Sequence, residues 1–420
     1  MVEEGRWQRW PEPGNPAGRF WSFMMLQRTN MSSGKRAGSP VICVTGLRGF
    51  PHVMGGIESH CEELLPRIKA LWPDHRSVVL GRAPYLPEPV SEHRGVEIVG
   101  IPCPRSQHFE AIVSTFLAVL SARKRGAGLV HIHAIGPGLL APVARLLGLK
   151  VVVTHHGTDY HRAKWGPLAR GALRAGEWLA LKFADRVIAV SPSLAAQLQQ
   201  SFPQRAQAVS YIPNGTSDLP GDADPALIFE RLGIDDGNFL LAVARLVPEK
   251  GLHDLIDAYE RSDCTAKLVI AGSADHESEY ARELLERASD RVIFAGVQSR
   301  ATLKCLYEHC ALFVMPSYHE GLPIAALEAA SCGARMLLSD IPANLDIGLD
   351  PRNYFPVGDV GELTARLNVD CADFQVDRDA VRARFSWDRA AAETLEVYRA
   401  ALAPRRPVPR PSTTPGPARG

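Results

Sequence analysis

The 420-residue chain has few of the features that would place it outside the cell or in a membrane. Its formal net charge is only +1, so no global field recruits nucleic acid or an anionic surface, and binding must rest on local sites. The eight cysteines form no C-x-x-C pair and are scattered through apolar or helical stretches. They read as reduced, space-filling thiols of a cytosolic protein. No apolar signal core opens the sequence, and its most apolar helix-like stretch, residues 111–122, falls far short of the ~20 residues needed to span a bilayer. A cytoplasmic protein is expected. S-x-x-K, G-x-S-x-G and Walker sequences are missing as well, which removes the usual cues for acyl transfer and P-loop chemistry.

What is present is a hydrophobic fraction of 46% against 22% charge, enough material for about two cores. Residues 1–38 hold Trp7, Trp10 and Trp21 among Pro, Gly and Arg without a sustained period, and a disordered head is expected there. Met31 precedes a more ordinary N-terminus. From Val41 the runs VICVTG, SVVLG, VEIVGI, LVHIHA, KVVVTHH, RVIAVS and VSYIP alternate with helical stretches, the grammar of a parallel α/β sheet. After Asn214-Gly215 and the turn-rich residues 218–225 the grammar restarts with FLLAVARL, KLVIAG, RVIFAG, ALFVMPS and RMLLSD. The expected fold is therefore α/β, with two doubly wound Rossmann-like domains, residues 39–215 and 216–385, facing a central cleft. Ser386 is suited to cap a last helix over residues 386–402. The six prolines and four arginines of residues 404–420 suit a disordered basic tail over 403–420.

The most informative segment runs from Ser317 to Ala330, with Glu320 in a loop after an apolar strand and Glu328 eight residues on, inside a helix. Gly321-Leu322-Pro323 opens that helix, whose first N–H groups lack intrahelical partners and attract phosphate. Eight residues of helix span roughly 12 Å, so one carboxylate can sit beside a diphosphate while the other binds hydroxyls farther along the ligand. A nucleotide sugar has that layout. Arg245 and Lys250 follow a strand of the same domain and are suited to the diphosphate. In the first domain Gly55-Gly56 follows VICVTG and precedes a helix, allowing backbone N–H groups to approach a phosphate closely. This is not the G-x-G-x-x-G fingerprint, and the next strand ends in Gly81-Arg82 rather than the acid that an NAD ribose needs. His155 and His156 leave the strand KVVVTHH at its carboxyl end, and one of them should face the cleft. A metal site with His131 and His133 is disfavoured because adjacent strand residues point to opposite faces and no carboxylate or cysteine has ligand spacing. The stretches FEAIVSTFLAVLSARKR and Lys164 to Arg174 combine apolar faces with cations, as helices packed on a sheet do and as membrane-surface helices do.

In combination, the Gly-Gly turn, His-Gly, Asn-Gly, Arg-x4-Lys and Glu-x7-Glu resemble the retaining GT-B glycosyltransferases of family 4 (glycosyl transferases group 1), over about residues 41–402. The segments GLRGFPHVMGGIESHCEELLPRI and THHGTDYHRAKWGPLARGALRAGEWLALKFAD look like the rhamnosyltransferase-like or exopolysaccharide subgroup. The resemblance implies a donor sugar held by Glu320 and His156, a ribose held by Glu328, and a diphosphate held by Arg245, Lys250, Gly55, Gly56 and the helix mouth at Gly321-Leu322. It further implies front-face retention, no metal and no cofactor beyond the nucleoside-diphosphate sugar itself, and a final helix crossing back to the first domain. The acceptor is expected to be a saccharide, lipid-linked in bacterial polysaccharide synthesis, with peripheral contact to the inner face of the cytoplasmic membrane and no nucleic-acid partner. A nucleotide-sugar 2-epimerase and a non-catalytic nucleotide-sugar-binding protein use a similar cleft and stand as alternatives.

Overall fold

The computed structural model describes residues 39–104, 109–158, 160, 166–216, 218–274 and 278–404. The expected head over 1–38, the tail from 405 and the Lys164-Trp165 pair lie outside these residues. All that follows belongs to the compact unit that starts at Val41.

Runs of Val, Ile and Leu with short β-compatible lengths form two sheets. The first contains β1 (Val41–Thr45), β2 (Arg76–Arg82), β3 (Val90–His93), β4 (Val96–Ile101), β5 (Leu129–His133), β6 (Lys150–His155), β7 (Arg186–Ala189) and β8 (Val209–Tyr211). Their order is β3-β4-β2-β1-β5-β6-β7-β8. Every pairing is parallel except β3 with β4, a short edge hairpin around Arg94-Gly95 that the apolar pattern did not reveal. The second sheet contains β9 (Phe239–Val243), β10 (Lys267–Ala271), β11 (Val292–Gly296), β12 (Leu312–Met315), β13 (Met336–Ser339) and β14 (Tyr354–Phe355) in the order β11-β10-β9-β12-β13-β14. All its pairings are parallel. Two doubly wound α/β sheets are thus present, as the sequence grammar implied.

Helix boundaries follow local chemistry. Ser191, Ser299 and Ser386 each accept a hydrogen bond from the third helical N–H that follows, and Asp224 accepts from Ala226, satisfying donors that a helix start leaves orphaned. Gly233 and Gly333 end their helices in the left-handed conformation.

The chain crosses between the halves twice, and the crossings run side by side. Thr216 donates from both its N–H and its hydroxyl to the Phe385 carbonyl, each at 2.9 Å. A Cβ on Gly215 would meet the Trp387 nitrogen at 2.3 Å, so only glycine lets the strands lie this close. Beyond the second crossing the Trp387–Leu402 helix packs on the Gly56–Leu71 helix and on β5 and β6. Trp387, Ala391 and Tyr398 are part of the same apolar core as Ile42, Val44 and Leu64. Replacing the fully buried Trp387 by alanine is expected to cost about 3–5 kcal/mol, read as a lowered guanidinium midpoint. An unchanged midpoint would mean that the last helix is not part of the first core.

Candidate active site

Open α/β sheets bind ligands outside the carboxyl ends of their strands, where the strand order reverses. The reversals here lie between β1 and β5 and between β9 and β12. The loop leaving β12 meets the one leaving β6. A cavity of about 460 Å³ lies instead at the amino ends of the second sheet's strands, lined by Gly237, Ala266, Ala311 and Arg335, the wrong end for such a ligand.

The halves meet backbone to backbone. Gly157 has φ +122°, and a Cβ on Gly321 would lie 2.0 Å from the His156 carbonyl oxygen. Around this contact His319 Nε2 lies 2.8 Å from the Thr158 carbonyl oxygen and 3.0 Å from its hydroxyl. Asn214 Nδ2 donates to the Leu322 carbonyl at 2.7 Å, and Ser193 donates to Asp346 through its N–H at 3.1 Å and its hydroxyl at 2.5 Å.

Within the second half, Gly251 ends the short turn Pro248–Lys250 with φ 63°, tight against the Pro316 carbonyl. That turn brings Lys250 Nζ to 2.5 Å from Glu320 Oε1, which also accepts from the Ser317 hydroxyl at 2.8 Å. Ser317 is itself held by the Ser339 hydroxyl through its carbonyl at 2.5 Å, and the Tyr318 hydroxyl donates to Asp254. The carboxylate is therefore fixed before any ligand arrives. Arg245 lies just past β9 on the loop that leads to Lys250.

Two helix mouths differ from the sequence expectation. The helix bearing Glu328 runs Ile324–Cys332 with Pro323 as its cap, so Gly321 and Leu322 precede it rather than form its first turn. Proline has no N–H, and the loop donors nearest the mouth are Gly321 and Leu322. At the other mouth a Cβ on Gly55 would meet Glu58 Oε2 at 2.0 Å and Arg48 Nη2 at 2.6 Å, whereas nothing lies within 4 Å of one on Gly56. The Arg48–Glu58 pair, 3.2 Å apart, fills the approach at Gly55 and leaves the one at Gly56 open.

His155 and His156 separate as the strand ends. His155 Nε2 lies 2.8 Å from Glu177, a positioning contact on the helix side. His156 turns to the junction, its Nε2 2.9 Å from His133 Nδ1. His60, from the helix after Gly55-Gly56, completes a group whose ligand-capable nitrogens all lie within 4.8 Å of one another. Sequence spacing gave no sign of this, because the three residues come from one helix and two strand ends.

Glu328 is buried at the back of the site. Arg300, on the Arg300–His309 helix, reaches Glu63 of the first half at 2.7 Å and stands 3.6 Å from Glu328. Burial pushes the Glu328 carboxyl up to about 7, with Glu63 adding to the rise and Arg300 opposing it. Arg48, Glu63 and Arg300 were not found from the sequence, since no spacing pairs Arg48 with Glu58 and the Arg300–Glu63 contact joins residues distant along the chain. The folded protein holds the Glu328 proton more tightly than the unfolded chain. Its contribution to stability is full below about 4.5 and is lost as pH rises through about 7. Glu328→Gln is expected to flatten the fall in unfolding free energy between about pH 5 and pH 8 by on the order of 2–3 kcal/mol. Equal slopes in the two proteins, measured by denaturant titration, would show that the carboxyl ionises freely.

Comparison with known proteins gives a consistent picture. The sequence model described as Glycosyltransferase Family 4 matches residues 54–218, and that described as Glycosyl transferases group 1 matches residues 225–363. The 2-deoxystreptamine N-acetyl-D-glucosaminyltransferase of Streptomyces fradiae is 30% identical over 80% of this chain and 84% of its own. The alpha-maltose-1-phosphate synthase of Mycolicibacterium smegmatis is 26% identical over 83% of this chain and 96% of its own. Among solved structures, sucrose-phosphate synthase from Thermosynechococcus elongatus superposes with a TM-score of 0.71 at 21% identity, covering 86% of this chain and 98% of that one. Anabaena HepE in complex with UDP-glucose does so at 0.67 and 19%, covering 86% and 99%. These structural likenesses establish the GT-B fold.

Proposed function

Since the chain belongs to the family 4, group 1 glycosyltransferases, we propose that it moves a hexose or deoxyhexose from a nucleoside-diphosphate sugar to a saccharide acceptor with retention of configuration. The observation that carries this reading is the Lys250–Glu320 pair held beside the Gly157–Gly321 contact. It sets a cation for the diphosphate and an acceptor for sugar hydroxyls where strand ends of both halves converge. The complexes of HepE with UDP and UDP-glucose support a nucleoside-diphosphate donor.

In this reading Glu320 and His156 hold the donor sugar, and Glu328 takes the ribose hydroxyls. Arg245, Lys250 and the N–H groups of Gly321 and Leu322 stabilise the charge that develops on the leaving diphosphate, with Gly56 approaching from the first half. The acceptor oxygen bonds to the anomeric carbon on the face from which the phosphate oxygen departs, and that phosphate oxygen takes the acceptor's proton. Charge stabilisation falls to side chains and backbone donors, so the transfer step is assigned no metal or other cofactor. Contact between the halves excludes water and limits donor hydrolysis.

The acceptor class proposed is a lipid-linked saccharide of bacterial polysaccharide synthesis, in line with the rhamnosyltransferase-like subgroup resemblance. No helix among the described residues is long and apolar enough to cross a membrane. The Glu110–Lys124 and Pro167–Phe183 helices nevertheless leave Phe116, Leu168 and Trp178 exposed near Lys124, Arg170, Arg174 and Lys182, which suits peripheral contact with an anionic lipid surface. Co-sedimentation with anionic vesicles is expected, and protein left wholly in the supernatant would remove this part of the proposal.

The decisive measurement is saturation-transfer NMR against a panel of nucleoside-diphosphate sugars, followed by product analysis. One donor is expected to bind and to yield a glycoside with the donor's anomeric configuration. Arg245→Ala and Lys250→Ala are each expected to lower kcat/KM by about 10²–10³-fold. An inverted product would rule out the front-face step, and donor binding that survives both substitutions would move the diphosphate elsewhere.

A further inference from the structure

Behind the junction, His60, His131, His133 and His156 form a cluster that the transfer role uses only at His156. His131 is satisfied at both nitrogens, Nδ1 by the Tyr398 hydroxyl at 2.8 Å and Nε2 by the Thr154 hydroxyl at 2.7 Å. His60 and His133 are not. Asn214 donates its Nδ2 to the Leu322 carbonyl at 2.7 Å, which turns its Oδ1 toward His60 Nδ1 at 2.8 Å. An oxygen acceptor there requires His60 Nδ1 to carry the ring proton, so Nε2 is a bare lone pair. That nitrogen is buried and meets no hydrogen-bond partner among the described residues, and the same is true of His133 Nε2.

His60, His133 and His156 each offer one imidazole nitrogen, and these nitrogens lie within 4.8 Å of one another. Glu58 and Glu63, on the same helix as His60, turn instead to Arg48 and to Arg67 and Arg300. An all-nitrogen set suits zinc-class dications rather than magnesium or calcium.

We propose that His60, His133 and His156 form a buried binding site for a transition-metal dication of the zinc class, with Asn214 orienting His60 from behind. The Asn214 contact is the kind of outer hydrogen bond that fixes a ligating ring. Zinc–nitrogen bonds of about 2.0–2.1 Å set tetrahedral ligands about 3.4 Å apart. The present nitrogens lie within 4.8 Å of one another, so binding contracts the widest edge of the triangle by up to about 1.4 Å. Because His156 is one corner, an occupied site withdraws it from the donor sugar. On the proposed transfer role, the metal is then an inhibitor rather than a cofactor.

The test uses the full chain, stripped with a chelator and titrated with Co²⁺ alone. One equivalent is expected to bind and to give the intense visible bands of a four-coordinate site, which Zn²⁺ abolishes. His60→Gln and His133→Gln are each expected to weaken Co²⁺ binding at least ten-fold, while His309→Gln, on the surface beside Asp236, leaves it unchanged. Should either glutamine variant misfold, X-ray absorption at the cobalt edge of the unaltered chain is expected to show three imidazole ligands. Absence of stoichiometric binding, unchanged affinity in folded variants, or an edge spectrum dominated by oxygen ligands would each overturn the site. The spectrum needs no sugar donor, so a chain that turns over no substrate leaves this result intact. Conversely, a chain that takes up no Co²⁺ yet transfers sugar refutes the metal site and leaves the transfer role intact.

Discussion

At the junction the two halves meet peptide on peptide, and much of the site takes its position from that contact. With a hydrogen in place of a side chain at Gly321, the loop after β12 lies against the His156 carbonyl. Three consecutive residues then serve different partners. Glu320 turns back to Lys250 and Ser317, Gly321 touches the first half, and the Leu322 carbonyl accepts from Asn214. A side chain at the middle position would part the halves and break the contacts of Gly321 and Leu322 with the first half, since a Cβ cannot sit 2.0 Å from an oxygen.

Charge around this contact is stored as pairs rather than displayed. Lys250 is matched by Glu320, Arg48 by Glu58, and Arg300 by Glu63 with Glu328 beside it. A site of this kind accepts an anionic ligand by exchange of partners, so its cations do not show in the net charge of +1. Half-buried pairs also hold long side chains in one rotamer, which lowers the ordering cost of ligand binding. Glu328 is the exception, since its cation stands at 3.6 Å and burial dominates its ionisation.

Much of the fold was legible because it is written in local pattern. The strand runs from VICVTG to RMLLSD coincide with β1, β2 and β4–β13, since a buried parallel strand must be apolar on both faces. The two short edge strands, Val90–His93 and Tyr354–Phe355, escaped because four and two residues carry no period. In the site, Lys250 and Glu320 were legible as chemistry at strand ends, and the structure brings them together. The start of the Glu328 helix was misplaced by three residues because Gly-Leu-Pro reads equally well as a first turn or as the loop before it. The histidine group was illegible for a different reason. Its members are separated by 73 and 23 positions, and only the register of β5 on β6, with the Gly56–Leu71 helix laid across them, makes neighbours of His60, His133 and His156.

The last helix has a consequence for how the chain is made. Trp387 and Tyr398 fill the core of the first half, yet they are among the last of its residues to leave the ribosome. The second half owns a core drawn from Leu240 to Phe374 and can close as soon as that stretch emerges. Synthesis therefore runs from first half to second, while completion runs the other way. For the time needed to translate the intervening segment, the nascent first half carries an open apolar seam along the Gly56–Leu71 helix, a surface for a chaperone to hold until its missing piece arrives.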